Sequence, residues 1–281
     1  MAERVSVSVI IPTKDRSEDL ATAVRSVLRQ SVLPEQIIIV DQSADERGKE
    51  LMDAELASAR EVRLDYLFDR PLGAAGARNR AIERATGTVW LFLDDDVELE
   101  SNFIEALLAT YAAPAVGGVC GIITNYVPPP LGSRWWAAAF VTGPFNDERQ
   151  PLYWKADKLR ESAPIPVRQF TGALMSFRAS LVNGARFDQR LRVGEDSDFC
   201  LRLFPEGGLV LQPQARLIHK RSLQGRAHEH WLTAHALTHY YLYGRHWRRG
   251  IYNRVCFAWL NVGYAVAALG GCARRGSLES W

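Results

Sequence analysis

Short apolar runs alternate with longer amphipathic stretches along the first 123 residues of the chain. Buried strands are predicted at five runs: 5–11, 36–41, 62–67, 88–93 and 116–123. Between these runs, apolar residues recur at helical spacing, as at Leu20, Val24 and Val27. Ser17 and Ser101 can cap helices, and another helix is predicted over 77–85. Because strands that alternate with helices are joined by right-handed crossovers, the pattern predicts an α/β fold with a mainly parallel sheet.

The pattern changes after residue 124. Residues 125–166 are rich in Pro, Gly and Trp and predict a long irregular insert. Further elements are predicted beyond it: a strand near 168–177, a helix over 196–204, and strands around 208–211 and 216–219. From about residue 228 the chain is predicted to be helical. We therefore expect one domain over 1–225, with halves 1–123 and 124–225, and a helical basic tail over 226–281.

Composition and charge narrow the class of protein. The chain has 281 residues, of which 47% are hydrophobic and 23% charged, so a disordered chain is excluded. Its four cysteines form no C-x-x-C pair, which favours buried thiols in a reducing cytosol over disulfides or a zinc site. The N-terminus runs directly into a strand, so we expect no signal peptide. Residues 1–215 carry a net charge of −6 and residues 216–281 one of +8, which predicts a polyanionic partner for the tail.

Three adjacent carboxylates, Asp94, Asp95 and Asp96, end the apolar strand at 88–93. In open parallel sheets, ligands bind beyond the carboxyl ends of the strands. A solvated acidic turn is the plain alternative, but two like charges about 4 Å apart repel by about 4 kcal/mol at an effective dielectric constant near 20. A divalent cation removes that repulsion, and carboxylate oxygens suit Mg²⁺ or Mn²⁺. We therefore predict a metal or metal–phosphate site here.

Two further segments can hold parts of a nucleotide. Asp41 follows a buried strand, where it can accept a hydrogen bond from a base or ribose or cap the helix that starts near residue 44. Residues 73–79 combine small residues with Arg78, so they form either a phosphate-binding helix start or only a tight helix entry. This segment is not G-x-G-x-x-G and does not follow the first strand, so a dinucleotide-binding fold is not expected.

The part of the chain after the insert offers two more candidates. Glu195 and Asp196 open a predicted helix, where acids either complement the helix dipole or supply a carboxylate base. His219 ends a predicted strand, where it is either a structural residue or a metal ligand beside Asp96.

Taken in order, these motifs resemble the inverting nucleotide-sugar glycosyltransferases of family 2. The resemblance covers about residues 5–220 and is carried by the segments Val-Ile-Ile-Pro-Thr at 9–13, Val-Asp-Gln-Ser at 40–43, Gly-Ala-Arg-Asn at 76–79, the acids at 94–96 and Glu-Asp at 195–196. It implies the GT-A fold, in which a Rossmann-like nucleotide-binding half and an acceptor-binding half share one sheet. The Gln-x-x-Arg-Trp motif of processive synthases is absent, so a polymerising synthase is not expected.

The resemblance also implies roles for individual residues. Contacts to the nucleotide-sugar donor are expected from Pro12, Thr13, Asp15, Asp41, Gly76, Arg78, Asn79, Asp94 and Asp95. Mn²⁺ or Mg²⁺ is expected on Asp96 and Asp94, with His219. Asp196 is the expected catalytic base. The acceptor side is expected to include Gly172 and Glu195. Because the insert at 125–166 directly precedes this part of the chain, Trp135, Trp136 and Trp154 are expected as stacking faces for a sugar or a lipid carrier. A lid that only excludes water is the alternative.

Other classes of protein explain the pattern less well. A phosphotransferase or phosphatase with Asp-x-Asp carries that motif near its first strand, whereas here it follows the fourth. A sugar-nucleotidyltransferase needs a Gly-rich loop after the first strand, which Pro12 to Asp15 do not supply. A nucleic-acid binder leaves the acid cluster unexplained, so no nucleic-acid partner is expected.

The tail bears on the acceptor and on localisation. Residues 255–273 carry no charge, but their length is marginal for a membrane span and Asn261 and three glycines weaken it. The mixture of aromatic and basic residues from 240 to 249 is typical of an interfacial helix. We therefore expect a cytoplasmic enzyme, peripheral on the anionic inner face of the membrane, which acts on a glycan or lipid-linked glycan in bacterial envelope or exopolysaccharide assembly. A tail that packs on the catalytic domain and a tail that spans the membrane are the alternatives.

Overall fold

The structure, a computed structural model, describes residues 5–56, 61–126, 130–142, 159, 163–221, 231–247 and 250–275. The chain divides into two compact units. The first comprises residues 1–126 and 152–226, and the second comprises residues 127–151 and 227–281. Each unit has its own internal packing.

A single mixed sheet forms the centre of the first unit. Its described strands are β1 (Val7–Thr13), β2 (Gln36–Asp41), β3 (Arg63–Phe68), β4 (Val89–Leu93), β5 (Val97–Leu99), β6 (Gly118–Ile123), β7 (Ile165–Val167), β8 (Leu174–Arg178) and β9 (Leu209–His219). The strand order is β3-β2-β1-β4-β8-β6-β9-β5, and β7 pairs with β9. Strands β1 to β4 are parallel to one another, and β8 is antiparallel to both of its neighbours. The predicted α/β fold with a mainly parallel sheet is confirmed.

Helices cover the sheet of the first unit. They are α1 (Ser17–Leu28), α2 (Arg47–Leu56), α3 (Gly73–Ile82), α4 (Phe103–Thr110), α6 (Ala179–Val182) and α7 (Glu195–Leu203), while α5 (Leu131–Ala137) belongs to the second unit. Every residue of β2 and β4 is buried, which is typical of parallel strands covered on both faces. Helix α1 forms because its acids lie in the first turn and its apolar residues share one buried side.

Four elements differ from the sequence-based expectation. Of the strand expected near 168–177, only the C-terminal part forms a strand, β8, while β7 precedes the expected range. The strands expected at 208–211 and 216–219 are one strand, β9. Strand β5 was not predicted, because three residues are too few to show a period. The expected irregular insert contains helix α5 (Leu131–Ala137) and a π-helical segment (Ala138–Thr142). Residues 143–158 of the insert, with Trp154, lie outside the described residues.

The second unit is helical. Besides α5 it contains α8 (Trp231–Leu242), a π-helical segment (Tyr243–Trp247) and α9 (Ile251–Arg275). Trp136 Nε1 donates to the Gly263 carbonyl over 2.9 Å, and the rings of Tyr243 and Phe257 stack 3.8 Å apart. These contacts pack α5 and the π-helical segment Tyr243–Trp247 against α9. In the described part of the chain, no helix is long and apolar enough to cross a membrane.

Candidate active site

The candidate metal ligands come together where β4, β5 and β9 meet. Asp94 to Asp96 form the turn between β4 and β5. Because β5 pairs antiparallel with β9, Val97 lies opposite His219 and the imidazole reaches the turn. His219 Nε2 is 3.0 Å from Asp96 Oδ1 and 3.9 Å from Asp94 Oδ2. The structure thus brings together the three residues expected to hold a metal.

This cluster fits a divalent cation. One ligand atom from each residue lies within 4.8 Å of the others. His219 Nε2 is buried and forms no hydrogen bond, although it faces two carboxylates. Two carboxylates and an imidazole are a donor set that Mn²⁺ accepts. The side chain of Asn125 holds the main chain of His219. The Asn125 side-chain amide donates to the His219 carbonyl over 2.9 Å and accepts from the His219 N–H over 3.0 Å.

Asp95 points away from this cluster. Its carboxylate accepts hydrogen bonds from Thr13 Oγ1 over 2.7 Å and from an Arg16 guanidinium nitrogen over 2.9 Å. Burial raises the pKa of Asp95 to about 6, although both of these contacts act in the opposite direction. Asp95 therefore ties β4 to β1 and to the start of α1. Its expected contact with the donor stays a prediction, and Arg16 is a partner that the sequence analysis did not single out.

Arg78 connects the cluster of candidate metal ligands to helix α7. It lies inside α3, where its side chain is 3% exposed. Its guanidinium donates to Glu195 Oε1 over 2.5 Å, to Asp94 Oδ1 over 3.3 Å and to the Gly172 carbonyl over 3.1 Å. Burial acts to lower the pKa of Arg78, but the charges of Glu195, Asp94 and Asp196 outweigh it and raise that pKa. Arg78 thus binds one carboxylate from the turn after β4 and one from the start of α7.

Asp196 lies beside this network at the first turn of α7. Its Oδ1 accepts from the Ser197 N–H over 2.7 Å. A methyl group built at Gly172 would be 3.0 Å from Arg78 Nη2, so a larger residue here requires a small shift of that guanidinium, whereas 3.5 Å to Asp196 Oδ2 is an ordinary contact. Burial, with a contribution from the Glu195 charge, raises the pKa of Asp196 to about 7. A carboxylate with such a pKa can accept a proton near neutral pH.

The expected donor-binding residues line the carboxyl ends of β1 and β2. Thr13 and Asp41 are opposite each other in the β1–β2 register, and Pro12 precedes Thr13 on β1. Asp41 is buried, and its carboxylate accepts from the Tyr66 hydroxyl over 2.5 Å and from the Ser43 N–H over 2.8 Å. Asp15 is exposed, with φ 56°. Tyr66 was not predicted from the sequence. Apolar and polar residues of β3 do not alternate clearly, so the pattern does not show that the Tyr66 hydroxyl reaches Asp41.

Four other expected residues have a clear structural position. Gly76 allows close packing within α3, since a methyl group there would be 2.7 Å from Leu72 Cβ. The Asn79 amide donates to the Phe187 carbonyl and accepts from the Phe187 N–H. Trp135 and Trp136 lie on α5 in the second unit, where Trp135 is exposed and Trp136 packs on Tyr264. Their expected contacts with donor or acceptor stay predictions.

Comparison with known proteins agrees with this architecture. The family model described as Glycosyl transferase family 2 matches residues 8–181. O-antigen biosynthesis protein RfbC of Myxococcus xanthus is 28% identical in an alignment that covers 81% of this chain and 18% of RfbC. Glucosyl-dolichyl phosphate glucuronosyltransferase of Haloferax volcanii is 26% identical in an alignment that covers 77% of this chain and 69% of that protein. The chain thus spans less than a fifth of RfbC.

A solved structure has the same fold. The mannosyltransferase PcManGT from Pyrobaculum calidifontis, in complex with GDP-Man and Mn²⁺, aligns with a TM-score of 0.64 at 17% identity. The alignment covers 95% of this chain and 76% of that chain. It confirms the expected GT-A fold.

Proposed function

The chain belongs to glycosyltransferase family 2, and from this premise we propose that it transfers a sugar from a nucleoside-diphosphate sugar to an acceptor hydroxyl, with inversion and with Mn²⁺ or Mg²⁺. The observation that carries the proposal is the cluster of Asp94, Asp96 and His219 at the carboxyl end of β4. Ligands of open α/β sheets bind at that edge. Thr13 and Asp41, at the ends of β1 and β2, then lie on the side of the nucleoside.

Each group at the cluster has a separate task. A divalent cation, when bound by Asp94, Asp96 and His219, offsets the charge of the diphosphate leaving group. Arg78 orients Asp94, because it holds Oδ1 and leaves Oδ2 on the side of His219. Asn125 holds the main chain of His219 in register.

Asp196 is the proposed catalytic base. Its raised pKa lets the carboxylate take the proton of the acceptor hydroxyl near neutral pH, as that oxygen attacks the anomeric carbon. Attack from the face opposite the diphosphate inverts the configuration in a single displacement. Glu195, which forms an ion pair with Arg78, keeps that guanidinium beside the base.

The names of two relatives support a class of acceptor. RfbC is named for O-antigen biosynthesis, and the Haloferax volcanii protein is named for glucosyl-dolichyl phosphate. We therefore propose a glycan or lipid-linked glycan acceptor in envelope polysaccharide assembly.

The test is a panel of UDP-, dTDP- and GDP-sugars incubated with Mn²⁺ and candidate glycan acceptors. We expect release of nucleoside diphosphate and a product whose anomeric configuration, read by NMR, is opposite to that of the donor. His219→Ala should lose Mn²⁺-dependent turnover, whereas His246→Ala in the second unit should keep it. Release of inorganic phosphate from sugar phosphates would instead identify a phosphatase. Pyrophosphate release from a nucleoside triphosphate and a sugar phosphate would identify a nucleotidyltransferase, and full activity in EDTA would refute metal dependence.

A further inference from the structure

Helix α9 carries an exposed apolar stripe that the transfer reaction does not use. Six large apolar residues recur every three or four positions: Ile251, Val255, Trp259, Val262, Val266 and Leu269. They are 46% to 82% exposed. At about 100° per residue they fall within about 80° of the helix circumference, so they form one continuous face. Such contiguous apolar surface marks an interaction site in soluble proteins.

The opposite face of α9 is already occupied within the second unit. Cys256 and Leu260 are buried, and Gly263 packs directly on the ring of Phe140. Trp259 lies at the margin of the stripe, because its Nε1 donates to the Ala139 carbonyl over 2.9 Å while its ring stays half-exposed. The helix is therefore fixed by one face, and the stripe points away from the core of its own unit.

The charge around the stripe indicates what covers it. No acidic residue lies between Glu229 and Glu279, a segment that contains six arginines. Arg254 is exposed and lies one turn from Ile251 on the same helix. Two copies of the stripe packed together would place two basic surfaces side by side without acids to pair them. An anionic lipid surface meets both requirements, since it accepts apolar side chains between its headgroups and attracts arginine.

We propose that the stripe of α9 inserts into the headgroup and acyl boundary of an anionic phospholipid bilayer, with the helix axis parallel to the membrane. Exposed aromatic residues at its edge, Tyr252 and Trp259, then lie at the headgroup level, where such rings are enriched. This inference does not depend on the transfer reaction, because it concerns residues outside the candidate active site.

The experiment is flotation of the full chain with vesicles of phosphatidylcholine, with and without phosphatidylglycerol. The wild type should float with the anionic vesicles. The triple variant Val255→Gln, Val262→Gln, Val266→Gln leaves the charge unchanged and should lower the lipid partition coefficient by about tenfold or more. The control variant Val32→Gln, Leu33→Gln, Leu181→Gln changes three exposed aliphatic residues of the first unit and should float like the wild type.

Three outcomes would overturn the proposal. These are a wild type that stays unbound at low salt, a stripe variant that floats as well as the wild type, and a control variant that is equally impaired. Sedimentation without lipid adds a fourth: a dimeric wild type and a monomeric stripe variant would assign the stripe to a second copy of the chain. Hydrolysis of the nucleotide sugar, measured without vesicles, reports on the proposed function separately.

Discussion

Arg78 shows how a single residue acquires a meaning that its motif does not reveal. In the sequence it follows small residues near a helix start, which fits either a phosphate-binding helix start or only a tight helix entry. In the structure it is buried inside α3 and binds Glu195, Asp94 and the Gly172 carbonyl. The separation of 117 residues between Arg78 and Glu195 explains why no local pattern indicates this contact. We interpret Arg78 as the residue that couples the position of the proposed metal ligand Asp94 to that of the proposed base Asp196.

Gly172 packs closely against the Arg78 guanidinium, and this contact gives the first prediction. Gly172→Ala should lower kcat by about tenfold, because the new methyl group shifts the Arg78 guanidinium that contacts Asp94 and Glu195. Steady-state kinetics with a saturating donor measures the effect. Gly132→Ala, where a methyl group meets nothing within 4 Å, is the matched control and should leave kcat unchanged. An unaltered kcat for Gly172→Ala would mean that this contact does not limit the reaction.

Asp196 gives a prediction about pH. Since burial raises its pKa to about 7, kcat/KM should rise between about pH 6 and about pH 8 as the carboxylate loses its proton. Asp196→Asn should lower turnover by about 10²- to 10⁴-fold and abolish this rise. A variant that keeps the rising limb would place the base elsewhere.

The same pKa shift has a consequence for stability with a definite sign. The folded protein holds the Asp196 proton more tightly than the unfolded chain does, so this group destabilises the fold progressively as the pH rises from about 4 to about 7. In EDTA, Asp196→Asn should therefore have a higher Tm than the wild type at about pH 8, and the difference should shrink towards about pH 4.

Elements with a strong hydrophobic period could be predicted from the sequence. Short elements, and those defined by pairing with distant strands, could not. The buried runs at β1, β2 and β4 and the spacing in α1 predicted those elements, because each carries its own pattern. Strand β5 has three residues and is defined only by its pairing with β9. For the same reason, the sequence left open whether His219 is a structural residue or a metal ligand. The pairing of β5 with β9 places its imidazole beside Asp96.

The junction of β6 with β9 gives a prediction at this level. Asn125→Ala removes both hydrogen bonds to the main chain of His219, so Mn²⁺ affinity should fall by about threefold to tenfold, less than is typical for losing a direct partner of the imidazole. Calorimetric titration with Mn²⁺ measures the change. Thr124→Val is the matched control, since it removes one hydrogen bond to the Leu217 carbonyl in the same pair of strands. Each variant should lose about 1 kcal/mol of stability, but only Asn125→Ala should weaken Mn²⁺ binding. Equal Mn²⁺ affinities in both variants would show that Asn125 does not position the ligand.

Charge is unevenly distributed over the whole molecule. The residues up to 215 are acidic, with a net charge of −6, and those from 216 onwards are basic, with a net charge of +8. An anionic surface repels the acidic residues up to 215 and attracts the basic residues from 216 onwards. Under the proposed membrane contact, the arginines attract the chain to the surface, and the apolar stripe of α9 sets how firmly it is held.

These two contributions differ in their response to salt, which gives the last prediction. The Debye length falls from about 10 Å at 0.1 M salt to about 3 Å at 1 M, so added NaCl should weaken the attraction of the arginines but not the burial of the stripe. Binding of the wild type to anionic vesicles should decline to a residual level that high salt does not remove. The triple Val→Gln variant should bind only at low salt and lose its binding completely as NaCl is added. Transfer of sugar to a soluble acceptor, which needs no lipid surface, should respond equally to salt in both proteins. A wild type whose vesicle binding vanishes as steeply as that of the variant would leave the stripe without a part in holding the membrane.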